Sequence, residues 1–287
     1  MKSIKSKVLA LAALGAAHAF AVPVVDNVTM TQETSSRRVT IEYTLSGEPG
    51  VITVDIQTNA TVEGEAKWVS IGNEHLLGFG GDVHKVVQPT GVGEVRTINW
   101  HPDIYWPGTR ADKANARAVV TAWALNAPPD YCIVHLVTPY DVTYYPCKEL
   151  VPGGIADKRY KCEYMAFRKI PAAGVVWWAG MPRETPGYDA DAQRHQVRLT
   201  EDYYMAVYEL TYAQSSAIAN GTPDASSRAA NAWEESCYST QRGSEKGAKW
   251  PTFNSDGSLD YETSHGVDPG SRIGLMRSRS GLLFDLP

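Results

Sequence analysis

The chain has 287 residues, 43% hydrophobic and 21% charged, with 24 Gly and 17 Pro. That is a globular composition, which excludes a disordered tail, a collagen and a coiled coil. The formal net charge is −5; with no basic surplus, nucleic acid is excluded as a main partner.

Residues 1–21 read as a cleaved secretory signal. Lys2, Lys5 and Lys7 form a positive start, Val8 to Ala17 is small and apolar, and Ala17-His18-Ala19 and Ala19-Phe20-Ala21 are small-x-small cleavage sites. The apolar run is too short for a stable membrane span, and no later segment is long enough for one. The expected location is secreted, periplasmic or at the cell surface. Removing the signal takes away three lysines and no acid, so the exported chain is more acidic than the whole.

Residues 22–145 follow a β pattern. Val39, Ile41, Tyr43 and Leu45 alternate with polar residues, as a half-buried strand does. Gly47-Glu48-Pro49-Gly50 is a turn cluster, and Ile52, Val54 and Ile56 then alternate with Thr53, Asp55 and Gln57. The pair is expected to form a β-hairpin. Further strands are expected at 84–87, 94–100, 118–125 and 131–137. Short strands between turn signals point to a β-sandwich of the immunoglobulin or fibronectin type III kind.

Residues 146–164 read as a linker region, because Val151-Pro152-Gly153-Gly154 is a breaker cluster followed by a charged stretch. Residues 165–287 then mix aromatic strands and acidic loops with one clear helix from Thr211 to Asn220. Thr211 is its candidate N-cap, and Gly221 and Pro223 stop it. A long surface loop is expected over 241–268.

An exported chain can keep disulfides. Cys132, Cys147 and Cys162 are disulfide candidates, and Cys237 stands apart. The spacing does not choose among the three possible connectivities, and no CxxC pair points to a zinc ribbon. GxSxG, HExxH, GxGxxG and P-loop signatures are all absent. The acidic loops at 184–191 and 254–262 invite a calcium reading. In the second, counting from Thr252, the twelfth ligand position falls on Thr263, which breaks the match. His195 has no second His or Cys at ligand spacing, which favours a structural role.

The stretch from Met165 to Gln214 resembles the start of the formylglycine-generating enzyme family, also called the sulfatase-modifying factor domain. Phe167-Arg168-Lys169-Ile170-Pro171-Ala172-Ala173-Gly174 is similar to its opening strand, and Trp178-Ala179-Gly180-Met181 stands where the family has a Met-Gly pair, in altered order. His195-Gln196-Val197-Arg198-Leu199-Thr200 leads into Tyr203 to Gln214, similar to the family's "His-x-Val-x-Leu" run and the "Glu-Val-Thr-x-x-Gln" that follows it. Leu286-Pro287 resembles the front of a later "Leu-Pro-Thr-Glu-Ala" segment. The resemblance implies a C-type-lectin-like α+β domain, of which 165–287 would be the first half. The chain as a whole would then be a mostly β N-terminal sandwich plus an incomplete α+β domain. The resemblance implies that in active complete members copper, alone or with calcium, serves oxidation of a sulfatase Cys to formylglycine.

The family's catalytic Cys positions would lie beyond residue 287. The resemblance therefore assigns no catalytic residue, cofactor ligand or metal ligand to this chain. Its matched residues His195, Glu209, Thr211, Gln214, Leu286 and Pro287 are expected to build the domain. The implied partner is a sulfatase polypeptide. A second reading is a non-catalytic extracellular glycan- or protein-binding module, for which 15 Tyr and 8 Trp supply stacking surfaces. On this division, residues 22–150 alone are expected to melt cooperatively and 165–287 alone are not.

Overall fold

A computed structural model describes residues 22–223, apart from 90, 92, 109, 112–114 and 189–192, together with 272–282. The expected signal at 1–21, the loop at 241–268, Cys237, Leu286 and Pro287 lie outside the described residues.

In chain order the strands are β1 (Val24–Gln32), β2 (Val39–Ser46), β3 (Gly50–Val62), β4 (Glu65–Ser70), β5 (Phe79–Gly80), β6 (Val86–Val87) and β7 (Arg96–Trp100). A single helical turn, α1 (Pro102–Tyr105), precedes β8 (Ala116–Ala124), β9 (Tyr131–His135) and β10 (Val142–Tyr145). Then come β11 (Tyr164–Ile170), β12 (Val176–Ala179), β13 (His195–Arg198), β14 (Tyr203–Ala206), α2 (Tyr212–Asn220) and α3 (Arg272–Ser280). The protein is mostly β, with several antiparallel sheets. No helix among the described residues is long and apolar enough to cross a membrane.

Two sheets share the first core. One has the order β1-β2-β7-β5; the other has the order β4-β3-β6, with β8 also paired to β3. Val39, Ile41, Tyr43 and Leu45 point in from β2, as their alternation requires, and Ile52, Val54 and Ile56 meet them from β3. Trp100 is fully buried there, stacked on Phe79 at 5.5 Å, and its indole N–H donates to the Leu77 carbonyl.

The expected hairpin does not form. β2 pairs with β1 and β7, whereas β3 pairs with β4, β6 and β8. The 47–49 turn carries the chain from one sheet to the other. Both arrangements place the same alternate residues in a core, so periodicity alone does not separate them. Gly47 makes the crossing possible: its φ is +82°, and a Cβ there would lie 2.3 Å from the Val22 carbonyl oxygen.

β3 is also buried on both faces at its start. Thr53, expected to face water, is only 6% exposed, because Trp123 lies over it and donates its indole N–H to the hydroxyl at 2.8 Å.

A third sheet has the order β10-β9-β11-β14. Its alternation splits between two cores. Ile133, Tyr145 and Ala166 join the first cluster, while Cys132, Val134, Tyr144, Met165 and Phe167 join a second. Ala217 and Ile218 of α2 and Met276 of α3 belong to that second cluster, as does Val51 of β3.

This arrangement corrects the division at 146–164. β9, from the expected first domain, pairs along its length with β11, from the expected second. Leu150, Val151 and Tyr160 lie in the first core, and Tyr160 donates its hydroxyl proton to the Pro152 carbonyl at 2.7 Å. The breaker cluster therefore turns the chain back over the core; a linker would have few contacts crossing it. Gly153 holds the bend at φ +76°, where a Cβ would meet the Asp157 carboxylate at 2.4 Å.

The helix expected from Thr211 is present. Thr211 caps α2, with its hydroxyl accepting from the Gln214 N–H and the Gln214 side chain accepting from the Thr211 N–H. Gly221 ends the helix in the left-handed conformation.

His84 connects β10 to the first pair of sheets. Its ring packs on Tyr145 at 4.3 Å and hydrogen-bonds the Tyr144 carbonyl at 2.8 Å. Burial lowers its pKa from 6.5 to about 4, so the folded chain keeps it neutral where the unfolded chain takes up a proton. The contribution is fully present above pH 6.5 and is lost as pH falls from there to about 4. The largest loss is about 3 kcal/mol. We expect His84→Asn, which tolerates the positive φ of 66° at this position, to flatten that part of the pH dependence. Urea unfolding of both proteins at about pH 7 and about pH 4.5 checks this; equal pH dependence in the two would refute it.

Candidate functional site

β12 and β13 form a separate two-stranded ladder with Val176 opposite Arg198, Trp177 opposite Val197, Trp178 opposite Gln196 and Ala179 opposite His195. Directly paired residues share a face. One face therefore carries Val176, Trp178, Gln196 and Arg198, and the other carries Trp177, Ala179, Val197 and His195.

Trp178 is 54% exposed, and Val175, Val176, Trp177 and Met181 around it are also exposed. A Trp normally contributes about 150–250 Å² to a core or an interface, so adjacent exposed indoles leave an apolar patch without cover among the described residues. The Arg194 guanidinium lies over the Trp178 ring, 4.6 Å from its centroid. No described residue forms an ion pair with Arg194 or Arg198. An exposed indole thus carries one guanidinium on its ring and faces Gln196 across the ladder, while Arg198, opposite Val176, reaches toward Gly174 on the same face. This set can stack on an apolar ring face while hydrogen-bonding hydroxyl or carboxylate oxygens at its edge.

Of the matched motif residues that are described, Thr211 and Gln214 meet in the α2 capping box, and His195 is not part of it. His195 is exposed on β13, and its Nδ1 bonds the Gln193 carbonyl at 2.8 Å. Glu209 is exposed before α2, and Thr211 and Gln214 are buried at the cap. Thr211 also donates its hydroxyl proton to the Lys161 carbonyl at 2.7 Å, which ties the cap to the segment expected to be a linker.

The disulfide expectation is also corrected, because Cys132, Cys147 and Cys162 are free thiols. Cys132 faces the second core, while Cys147 packs at the edge of the first and accepts from the Asn73 amide. Burial pushes the Cys132 thiol up to about 12 and raises those of Cys147 and Cys162. Copper(I) binds thiolates, which these environments disfavour, so the described residues do not fit a copper centre. No three His, Cys, Asp or Glu side chains among the described residues form a metal-holding group.

No family model matches the chain, and no curated protein and no solved structure matches it either.

Sequence reasoning noticed Trp178 only as part of an altered motif. A more direct signal was available: Val175-Val176-Trp177-Trp178 leaves no polar position, so in a two-stranded ladder both faces must display apolar side chains.

Proposed function

We propose that this chain is an exported recognition protein that holds an acidic extracellular glycan on the β12–β13 ladder. The carrying observation is the half-exposed Trp178 indole under the Arg194 guanidinium, with Gln196 opposite it and Arg198 further along the same face. Sugar rings stack their C–H faces on such an indole, and the two arginines, which form no ion pair among the described residues, favour a uronate or sulfate over a neutral sugar. The immunoglobulin- or fibronectin-like character of the first two sheets belongs to the same proposal. So does the formylglycine-generating-enzyme-like character of residues 165–287, which the capping box at Thr211 and Gln214 supports. The role assigned to the chain is binding, with no oxidase step.

The test is binding of the full chain to uronic-acid-containing and sulfated oligosaccharides, with neutral ones as the comparison. Selective binding that weakens with salt is expected. Trp178→Ala should lower affinity about tenfold or more. Because the side chain is exposed, the free energy of unfolding should stay within about 0.5 kcal/mol of wild type. Absence of binding to every acidic oligosaccharide, or binding that Trp178→Ala leaves intact, would overturn the proposal. Capture of a polypeptide at the same surface would replace the glycan with a protein ligand.

A further inference from the structure

A concave site lies away from the ladder, where the third sheet meets the turns at Pro152 and Arg159. It encloses about 180 Å³. By the same measure a single water needs about 10–15 Å³, so the space suits one small ring better than a chain of them. The residues that matter are Tyr164, Tyr160, His135, Thr143, Asp141 and Arg159.

The aromatic part is held rigidly. His135 stacks on Tyr164 at 4.4 Å with 21° between planes, and Tyr160 meets Tyr164 edge-on at 6.0 Å. Tyr160 is buried and fixed by its bond to the Pro152 carbonyl. The His135 Nδ1 is occupied by the Pro139 carbonyl at 2.8 Å, which leaves Nε2 as the nitrogen available to a ligand.

The charged part is already neutralised. Asp141 pairs with Lys85 at 3.3 Å, and Arg159 pairs with Asp157 at 3.1 Å. An ionic ligand would meet no uncompensated countercharge here, unlike at Trp178. Paired ions still form charge-assisted hydrogen bonds with hydroxyl groups, and Thr143 adds a hydroxyl of its own. Aromatic faces, paired ions and a hydroxyl together match a neutral ring rich in hydroxyls.

We infer that this cleft binds a single neutral sugar residue, such as one unit or one end of a glycan. The inference takes its ligand class from the glycan reading but uses none of the residues of the ladder. The two sites would then divide the work: the ladder takes the acidic units and the cleft a neutral one.

The experiment is NMR on the isotope-labelled full chain, following the His135 and Tyr164 ring signals. The probes are the methyl glycosides of glucose, galactose, mannose, N-acetylglucosamine and glucuronic acid. At least one neutral glycoside should give saturable shifts at both rings, and the glucuronide should give weaker ones. Asp141→Asn and Thr143→Val should each weaken that binding about tenfold. Trp178→Ala should leave it unchanged. The wild-type shifts decide the matter should a variant fail to fold. Silence of both rings with every neutral glycoside up to about 100 mM, well past the millimolar range of weak binding, would overturn the inference. Equal response to the glucuronide would overturn the neutral class. Shifts confined to Trp177 and Trp178 with every glycoside would reject the cleft and spare the ladder, whereas neutral-glycoside shifts at the cleft with no glucuronide response at Trp177 or Trp178 would do the reverse.

Discussion

Gln214→Leu is expected to destabilise the protein by about 3–9 kcal/mol, although it alters no charge and keeps nearly the same volume. The side chain is only 2% exposed and serves three main-chain groups. Its Oε1 accepts from the Thr211 N–H at 2.9 Å, and its Nε2 donates to the Tyr160 and Tyr164 carbonyls, each at 2.9 Å. One amide thus caps α2 and fastens that helix to the helical turn Lys158–Lys161 and to β11. Leucine removes all three bonds and leaves the buried main-chain groups to lose about 1–3 kcal/mol each. Loss of the reciprocal cap falls within that sum. For an ordered unit of this size the fall in melting temperature should be about 10 °C or more. Thermal melts of wild type, Gln214→Leu and Gln214→Glu check the reasoning. The Glu variant keeps an acceptor for Thr211 and loses both donors, so it too should be clearly destabilised. A Leu variant within about 0.5 kcal/mol of wild type would show that the bonds contribute nothing net.

That residue illustrates what the sequence makes legible. Thr211 and Gln214 stand three apart at the head of an apolar segment, and a capping box needs only local chemistry, so its place is readable without knowing the fold. β2 is readable for the same reason: four apolar residues at period two specify a half-buried strand wherever its partners lie. What local pattern cannot supply is the partner. Ile52, Val54 and Ile56 satisfy a hairpin with β2 and an opposed sheet equally well, and only tertiary packing chooses between them. Thr53 stands at a polar position of the alternation yet is buried, because Trp123, far away in the chain, covers it and donates to its hydroxyl.

The candidate site was less legible than the fold. His195 draws attention as a chemically versatile residue, yet it sits exposed with a local carbonyl partner. The ladder's Trp178 gains its meaning from exposure and from Arg194 across the strand pair, which no periodicity displays. The cleft is assembled from β9, β10, β11 and a turn region taken for a linker. Its residues lie within about thirty positions of sequence but face one another only because β11 pairs with β9. A glycine- and proline-rich stretch reads as a boundary on composition. Here the buried side chains of Leu150, Val151 and Tyr160 outweigh that signal.

The chain cut after residue 150 is where this correction has its largest consequence. The sequence reading expects 22–150 to fold alone. The structure leads to the opposite expectation. Such a fragment keeps β9 and β10 but loses β11, so one edge of β9 presents unpaired N–H and C=O groups. It also loses Met165, Phe167, Ala217 and Ile218, which cover Val51, Val134, Leu136 and Tyr144 in the second core. Four large side chains left without cover forfeit about 1.5–3 kcal/mol each, or about 6–12 kcal/mol together. The net stability of a domain is about 5–15 kcal/mol, so the loss is of the same size as the whole. Val151, Tyr160 and Ala166 leave the first core as well. Fragment 22–150 should therefore bind a hydrophobic dye, aggregate on warming and show no sharp melting transition. Fragment 22–223, which restores β11, β14 and α2, should melt cooperatively. Calorimetry of the two fragments beside the full chain decides it: a single sharp transition for 22–150 at the temperature of the full chain would mean that the first two sheets form an autonomous domain and that pairing between β9 and β11 is incidental to stability.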